Sequence, residues 1–254
     1  MEQKSEYRGR LYQSAPRIGD QSNNVQALRK AIELRKPYLL RLIDRWIPAN
    51  REIRILDLGC GYGAVLSCLE ELGYRHVAGI EISFDQVASA KQLGIHGVEQ
   101  GELLDYLKRC KDETFDVILA LDVLEHFTKP EVVEICDEIY RLLRQGGKLI
   151  LHVPNGGGIF SSIIYFDDLT HETAFTRGSI RQLGAAVGFE KIECAEDKPI
   201  VHGVKSFVRR ILWEILSSFF RLIYIAETAD LSENPLLSQN LTAVMEKTKS
   251  TERK

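Results

Sequence analysis

A chain of 254 residues with 44% apolar side chains has material for one large α/β domain or two small ones. The formal net charge of -3, with acids and bases interspersed, provides no basic field of the kind that draws a protein onto nucleic acid, so a polyanion is excluded as the default partner. The cysteines, Cys60, Cys68, Cys110, Cys136 and Cys194, are odd in number, widely spread and free of any C-x-x-C pair. They read as reduced packing residues of a cytoplasmic protein rather than a disulfide framework.

The polar start, Met1 to Arg8, has no apolar run behind it and predicts no secretory signal. Over residues 24–47, Val25, Leu28, Ile32, Leu39, Leu42, Ile43 and Trp46 recur near a helical period, and Pro37 is expected to split the run into two helices. Residues 1–49 therefore read as an N-terminal helical cap. From Arg54 short apolar runs alternate with amphipathic stretches: a strand over 53–58, a helix to Leu72, a strand over 77–82 and a helix to Leu93. Further strands are expected at 115–121 and at 148–153, the latter after Gly146-Gly147, which suits a helix C-cap turning into a strand. This alternation predicts βαβ units and a parallel sheet over a core of residues 50–200. Residues 201–254 belong to the same domain, with a helical insertion at about 204–225 and a last strand at 240–246 that closes the sheet with 191–195. Lys247 to Lys254 are expected to fray. The stretch from Ile211 to Ala226 is interrupted by Glu214, Ser217, Ser218 and Arg221 and is shorter than the roughly 20 residues a spanning helix needs.

The strand that ends in Gly59-Cys60-Gly61-Tyr62-Gly63 before a helix forms a cofactor platform, because glycine allows close backbone approach. Gly59, Gly61 and Ala64 also satisfy the spacing of a dinucleotide loop. Asp57, two residues before the first glycine, separates the cofactors. A carboxylate about 4 Å from a pyrophosphate costs on the order of 1 to 4 kcal/mol, whereas an ammonium group gains a comparable amount. Glu81, about 20 residues after the loop, has the spacing of a carboxylate that accepts both hydroxyls of a ribose.

Asp57-Leu58-Gly59-Cys60-Gly61-Tyr62-Gly63 resembles the first motif of class I S-adenosylmethionine-dependent methyltransferases, and Glu81 matches their acid after the second strand. Residues 115–126, Phe115 to His126, resemble their fourth-strand motif, and residues 142–149 the segment leading into strand five. The resemblance covers about residues 50–155. It implies a Rossmann-like three-layer α/β sandwich with a seven-stranded, mostly parallel sheet whose last strand is antiparallel. It also implies S-adenosylmethionine as cofactor, held by Asp57, Gly59, Cys60, Gly61, Gly63, Glu81, Ile82, Glu102, Leu103, Leu121 and Asp122. Glu102 departs from the family's usual aspartate.

Asp122-Val123-Leu124-Glu125-His126, in place of an Asn-Pro-Pro-Tyr type motif, resembles small-molecule O-methyltransferases that act on quinones, natural products or sugars. Asp168-Leu169-Thr170-His171 followed by Phe175-Thr176 resembles a branch associated with saccharide and cell-surface glycan synthesis. The expected acceptor is accordingly a small molecule or saccharide hydroxyl, with a quinone or lipid-like acceptor as the alternative. His171 is the expected general base, helped by Asp168, with His126 next in line. Asp167, Asp168 and His171 are too few for a metal site, and no metal is expected. The competing reading is a cofactor-binding partner or scaffold without catalysis. On a helical wheel Arg210, Glu214, Ser217, Ser218 and Arg221 form a narrow polar stripe and leave a wide apolar surface. That surface needs cover from the protein's own core, a homodimer partner or the inner face of a membrane, the last helped by Lys205, Arg209 and Arg210.

Overall fold

The computed structural model describes Leu11, residues 25–229 and residues 234–248. The strands are β1 Arg54–Leu58, β2 His76–Glu81, β3 Val98–Gln100, β4 Phe115–Leu121, β5 Leu143–Pro154, β6 Lys191–Glu196 and β7 Asn240–Glu246. They form one seven-stranded sheet in the order β3-β2-β1-β4-β5-β7-β6. Pairing is parallel from β3 through β5, and β7 runs antiparallel to both β5 and β6. The helices are α1 Val25–Trp46, α2 Ala64–Glu71, α3 Phe84–Leu93, α4 Leu103–Arg109, α5 Lys129–Leu142, α6 Ser161–Asp167, α7 Arg177–Val187 and α8 Val204–Thr228.

Strand side chains alternate between the two faces, and both faces are covered, so β1 and β4 read as nearly continuous buried runs. Leu56, Leu58, Ile118, Ala120, Leu149 and Leu151 point into one cluster with Val132, Ile135 and Ile139 of α5. Ile55, Val117, Leu119 and Ile150 point into the other, with Leu28, Ile32 and Leu39 of α1 and Leu66 and Leu69 of α2. Each such Leu or Ile contributes about 1.5–3 kcal/mol through burial. The strand order reverses between β1 and β4, so the crevice at their carboxyl ends is the topological switch point where α/β sheets bind ligands. The Gly59–Gly63 loop and the Asp122–His126 turn both start there.

Several expectations need correction. Pro37 does not split the N-terminal run: α1 is one helix with Pro37 inside it. The carbonyl that loses its partner belongs to Glu33, on the exposed side, while Leu28, Ile32, Leu39, Leu42 and Ile43 anchor the other side in the core. Burial on both sides of the proline outweighs the local penalty. Gly146 caps no helix, since α5 ends at Leu142 and the chain turns straight into β5. Lys247 does not fray: it is buried, and its ammonium donates to the carbonyls of Tyr140 at 3.0 Å and Leu143 at 2.8 Å. Residues 249–254, like residues 1–10 and 12–24 of the helical cap, lie outside the described residues.

Helix α8 turns its polar stripe inward. Glu214 bonds Lys198 and Arg210, Arg221 holds both carboxylate oxygens of Glu196, and the buried residues of the helix are Ser206 and Ser217. Phe207, Ile211, Leu212, Ile215, Leu216, Phe219 and Leu222 face solvent. Among the described residues, none of the protein's own core covers the apolar face.

Because Pro37 removes one helical hydrogen bond from an exposed turn, Pro37→Ala should stabilise the fold, by about 1–2 kcal/mol once the greater freedom of the unfolded chain offsets part of the roughly 3 kcal/mol propensity difference. Urea denaturation of the two proteins reads this directly; a destabilised variant would show that the proline's fixed φ is needed there.

Candidate active site

Strand β1 delivers Asp57 and then the glycine loop. Gly59, Gly61 and Gly63 all have positive φ, at 60°, 55° and 82°. A Cβ on Gly59 would stand 2.7 Å from Val123 Cγ2, so only glycine lets the loop lie against the turn that follows β4. Asp57 is 2% exposed, and its Oδ2 has no hydrogen-bond partner. Burial, opposed by Arg35 and assisted by Glu81, pushes its carboxyl up to about 8. Glu81 is also buried. Its Oε2 accepts from Gly61 N at 2.9 Å and its Oε1 from Ser83 N at 2.8 Å. Each oxygen keeps lone-pair capacity for a further donor, such as a ligand hydroxyl.

Asp122 follows β4 at positive φ, 59°, a conformation aspartate tolerates better than most side chains. Its Oδ1 lies 2.6 Å from His152 Nδ1 on β5, Asp197 Oδ2 lies 3.3 Å from His152 Nε2, and the Arg35 guanidinium is 4.0 Å from Asp122 Oδ2. Burial opposes a charge on His152, yet the two aspartates outweigh it and push the imidazole up to about 10. Desolvation likewise opposes ionisation of Asp122, and His152 nevertheless holds it below the ordinary carboxylate value. The Tyr38 ring packs edge-on against His152 at 5.6 Å.

Glu125, in a short 3-10 turn over Leu124–His126, is 1% exposed, and burial pushes its carboxyl up to about 8. The loop before α7 closes over this turn. Glu172 N and Thr173 N donate to the Glu125 carbonyl at 2.7 and 3.0 Å, and Thr173 Oγ1 donates to the Phe127 carbonyl at 2.7 Å. His171 is thereby brought beside His126, with ring centroids 5.0 Å apart. Burial and the neighbouring His171 lower His126 to about 4.

The expected residues thus fall into two groups around one crevice. Asp57, Gly59, Cys60, Gly61, Gly63 and Glu81 form the loop and its acids. Ile82, half-exposed, and Leu103, buried, start the segments after β2 and β3, and Glu102 is the exposed N-cap residue of α4 with no side-chain cap bond. Leu121 ends β4 and Asp122 follows it, and His126 and His171 meet beyond them. Asp168 does not orient His171 through its side chain. Its Oδ1 accepts from Thr170 N at 2.8 Å and Thr170 Oγ1 at 2.7 Å, and Thr170 in turn meets His126 Nδ1 at 2.8 Å. Arg35, His152, Asp197 and Glu125 were missed as participants. Glu125 alone had a signal, its place inside the fourth-strand motif.

A mostly parallel sheet of this order with a glycine loop at the switch point, one acid before the loop and another at the end of β2, has the fold of the class I S-adenosylmethionine-dependent methyltransferases. The family model described as "Methyltransferase domain" matches residues 56–151. A ubiquinone biosynthesis O-methyltransferase of Maricaulis maris is 35% identical over 110 residues, which cover 41% of this chain and 41% of that protein. The match thus spans less than half the length of that relative. In fold the chain is similar to a SAM-dependent methyltransferase from Archaeoglobus fulgidus, with a TM-score of 0.63 and 21% identity, covering 85% of this chain and 94% of that one. It is also similar to a Haemonchus contortus phosphoethanolamine N-methyltransferase 2 in complex with S-adenosyl-L-methionine, with a TM-score of 0.59 and 17% identity, covering 93% and 61%.

The site fits that cofactor. A buried carboxylate oxygen without a partner, Asp57 Oδ2, is the acceptor an ammonium group would satisfy, and the glycines open the space beside it.

His152 carries a testable consequence. Its folded value of about 10 lies above the ordinary value of about 6.5, so the stability it contributes is complete below pH 6.5 and is lost as pH rises through 10. Chemical denaturation between pH 7 and pH 10 should show wild type losing stability more steeply than His152→Gln; parallel slopes would remove the charged imidazole.

Proposed function

We propose that this chain transfers a methyl group from S-adenosylmethionine to a hydroxyl oxygen of a small, apolar acceptor of the quinone or lipid-like kind. The observation that carries the transfer is the buried, unpartnered Asp57 oxygen beside the glycine loop, matched by Glu81 across it. When bound, the cofactor supplies an electrophilic methyl on a sulfonium centre. Asp57 would hold its ammonium, Glu81 would accept from its ribose hydroxyls, and Ile82, Glu102 and Leu103 would flank its base. Leu121 and Asp122 close the floor, with Asp122 held ionised by His152. Glu125, His126 and His171 would lie beside the acceptor hydroxyl, and Asp168 fixes that loop through Thr170. An aliphatic or phenolic oxygen attacks in line, so positioning and deprotonation are the tasks left to the protein.

Two observations favour an apolar acceptor over a saccharide. Relatives bear the name ubiquinone biosynthesis O-methyltransferase. Beside His171, Phe160, Ile163, Phe166 and Leu169 are exposed, and α6 buries none of its residues. An apolar rim offers nothing to sugar hydroxyls and much to a greasy ring or tail. The intact acids count against a non-catalytic scaffold.

Calorimetric titration tests the cofactor site. Asp57→Asn and Glu81→Gln should each weaken S-adenosylmethionine binding at least several-fold, since a charge-assisted contact is lost. Wild-type affinity should rise from pH 6 to pH 8 as Asp57 ionises, and Asp57→Asn should abolish that slope. Unchanged affinity in both folded variants would overturn the assignment.

We also propose that the outward face of α8 rests on a membrane surface from which such an acceptor is presented. No helix among the described residues is long and apolar enough to cross a membrane. The face is instead a surface-lying one: a wide apolar band with Lys205 and Arg209 exposed beside it. Flotation with anionic vesicles should carry the wild-type chain upward, and Phe219→Glu with Leu216→Glu should release it. A wild-type chain that stays down, or that elutes as a dimer lost in the same variant, assigns the face to a second copy instead.

A further inference from the structure

Glu125, His126 and His171 each bring one donor atom to within 4.8 Å of the others, outside the cofactor loop. The positions of the protons in this trio follow from its partners. Thr170 Oγ1 gives its hydrogen to Asp168 Oδ1 at 2.7 Å, so toward His126 Nδ1, 2.8 Å away, it accepts, and Nδ1 carries the proton. His171 Nδ1 lies 3.1 Å from the carbonyl of Tyr165, which has no proton to give, so that Nδ1 is protonated as well. In each neutral ring the lone pair is then on Nε2. An imidazole whose Nδ1–H is fixed on an oxygen acceptor, with the lone pair on the other nitrogen, is how proteins prepare histidine for a metal ion.

Glu125 supplies the independent observation. The residue is 1% exposed, and its Oε2 has no hydrogen-bond partner. A buried carboxylate oxygen with nothing to accept from is costly unless a cation meets it. The three residues are also held rigidly, because the bonds from Glu172 N, Thr173 N and Thr173 Oγ1 tie the two loops together at the backbone. His126 and His171 are half-exposed, which leaves an entry path.

We infer that Glu125, His126 and His171 form a binding site for one divalent first-row transition-metal cation, of the Zn²⁺ or Mn²⁺ kind. One carboxylate and two imidazoles are the donor set such ions take, and three protein donors leave coordination positions open. The site stands on the trio alone; its use in catalysis rests on the proposed methyl transfer. With an acceptor hydroxyl on an open position, the cation lowers the pKa of that hydroxyl. The proton passes to solvent water, the oxygen's electron pair forms the bond to the methyl carbon, and the carbon–sulfur pair returns to sulfur, which leaves as a neutral thioether. His171 then acts as a ligand, not as the base.

The test is a Mn²⁺ titration of the chelator-treated full chain, read by the electron paramagnetic resonance signal of free Mn²⁺, with Zn²⁺ as competitor. One Mn²⁺ per chain, displaced by Zn²⁺, is expected. Glu125→Gln and His171→Ala should weaken it by about 10 to 100-fold or more while circular dichroism and S-adenosylmethionine affinity stay at wild type. A wild-type chain that binds neither ion stoichiometrically, or equal binding in both folded variants, overturns the inference. Cofactor affinity is measured separately in the same samples, so a chain that takes the metal and not S-adenosylmethionine sinks the methyltransferase reading alone.

Discussion

The contact between Gly59 and Val123 is the constraint on which the site depends. A Cβ at residue 59 would come 2.7 Å from Val123 Cγ2, and the φ of 60° at Gly59 already disfavours any other residue. Because the loop after β1 can press against the turn after β4, Asp57 and Asp122 end up lining one crevice. Parallel pairing of Leu58 with Ala120 sets the two loops level before they turn. From Val123 the chain has room for a single short turn, which buries Glu125 and presents His126, and the Glu125 carbonyl then recruits the 172–173 backbone. The glycine loop and the His126–His171 pair are thus two ends of one packed connection.

That compactness gathers negative charge. Asp57, Glu81, Asp122 and Glu125 all sit at the carboxyl ends of adjacent strands, where the charge of Glu81 adds to the burial that raises Asp57, and that of Asp122 to the burial that raises Glu125. Each acid is relieved in its own way. Glu81 accepts two backbone N–H groups, and Asp122 takes His152 and the more distant Arg35. Asp57 and Glu125 alone keep an oxygen with no partner, and both are pushed up to about 8. The unrelieved acids are therefore the two that face the proposed ligand cations, an ammonium on one side and a metal on the other. The protein leaves these two acids without a partner where a ligand cation can supply one.

What could be read in the sequence was whatever a short window carries. Period-2 and period-3.6 patterning located β4 and β7 to the residue, because these strands are bounded by turns and covered on both faces. The glycine loop and its two acids were legible because their chemistry depends on spacing along one βαβ unit. Partners separated by long stretches were not. His152 meets Asp122 across 30 residues and Asp197 across 45, and nothing local marks Arg35 as facing either aspartate. Pro37 shows the opposite failure, a strong local rule overridden by burial of Leu28, Ile32, Leu39 and Leu42 on either side of it. The trio at Glu125 escaped because the acids next to His171 in sequence, Asp167 and Asp168, are not the ones next to it in space.

Helix α8 marks the limit of periodicity as a guide. An amphipathic pattern says that a helix has two faces; it does not say which face the protein keeps. Here Glu196, on the edge strand β6, is held by Arg221 and neighbours Lys198, and Lys198 bonds Glu214 on the helix. An edge strand carrying acids attracts the polar stripe, and once Arg221 is committed to Glu196 and Glu214 to Lys198 the apolar side chains must point away. The Arg221–Glu196 pair is largely buried, while the partly exposed Lys198–Glu214 and Arg210–Glu214 pairs are individually weak, about 0–1 kcal/mol each. They orient the helix without compensating for the water that Phe207, Ile211, Leu216 and Phe219 leave ordered around them. A fold that accepts that cost on its own carries a surface whose natural environment includes another apolar body. Orientation by polar contacts inward and energy from burial outward is the division of labour expected of a helix that belongs to an interface.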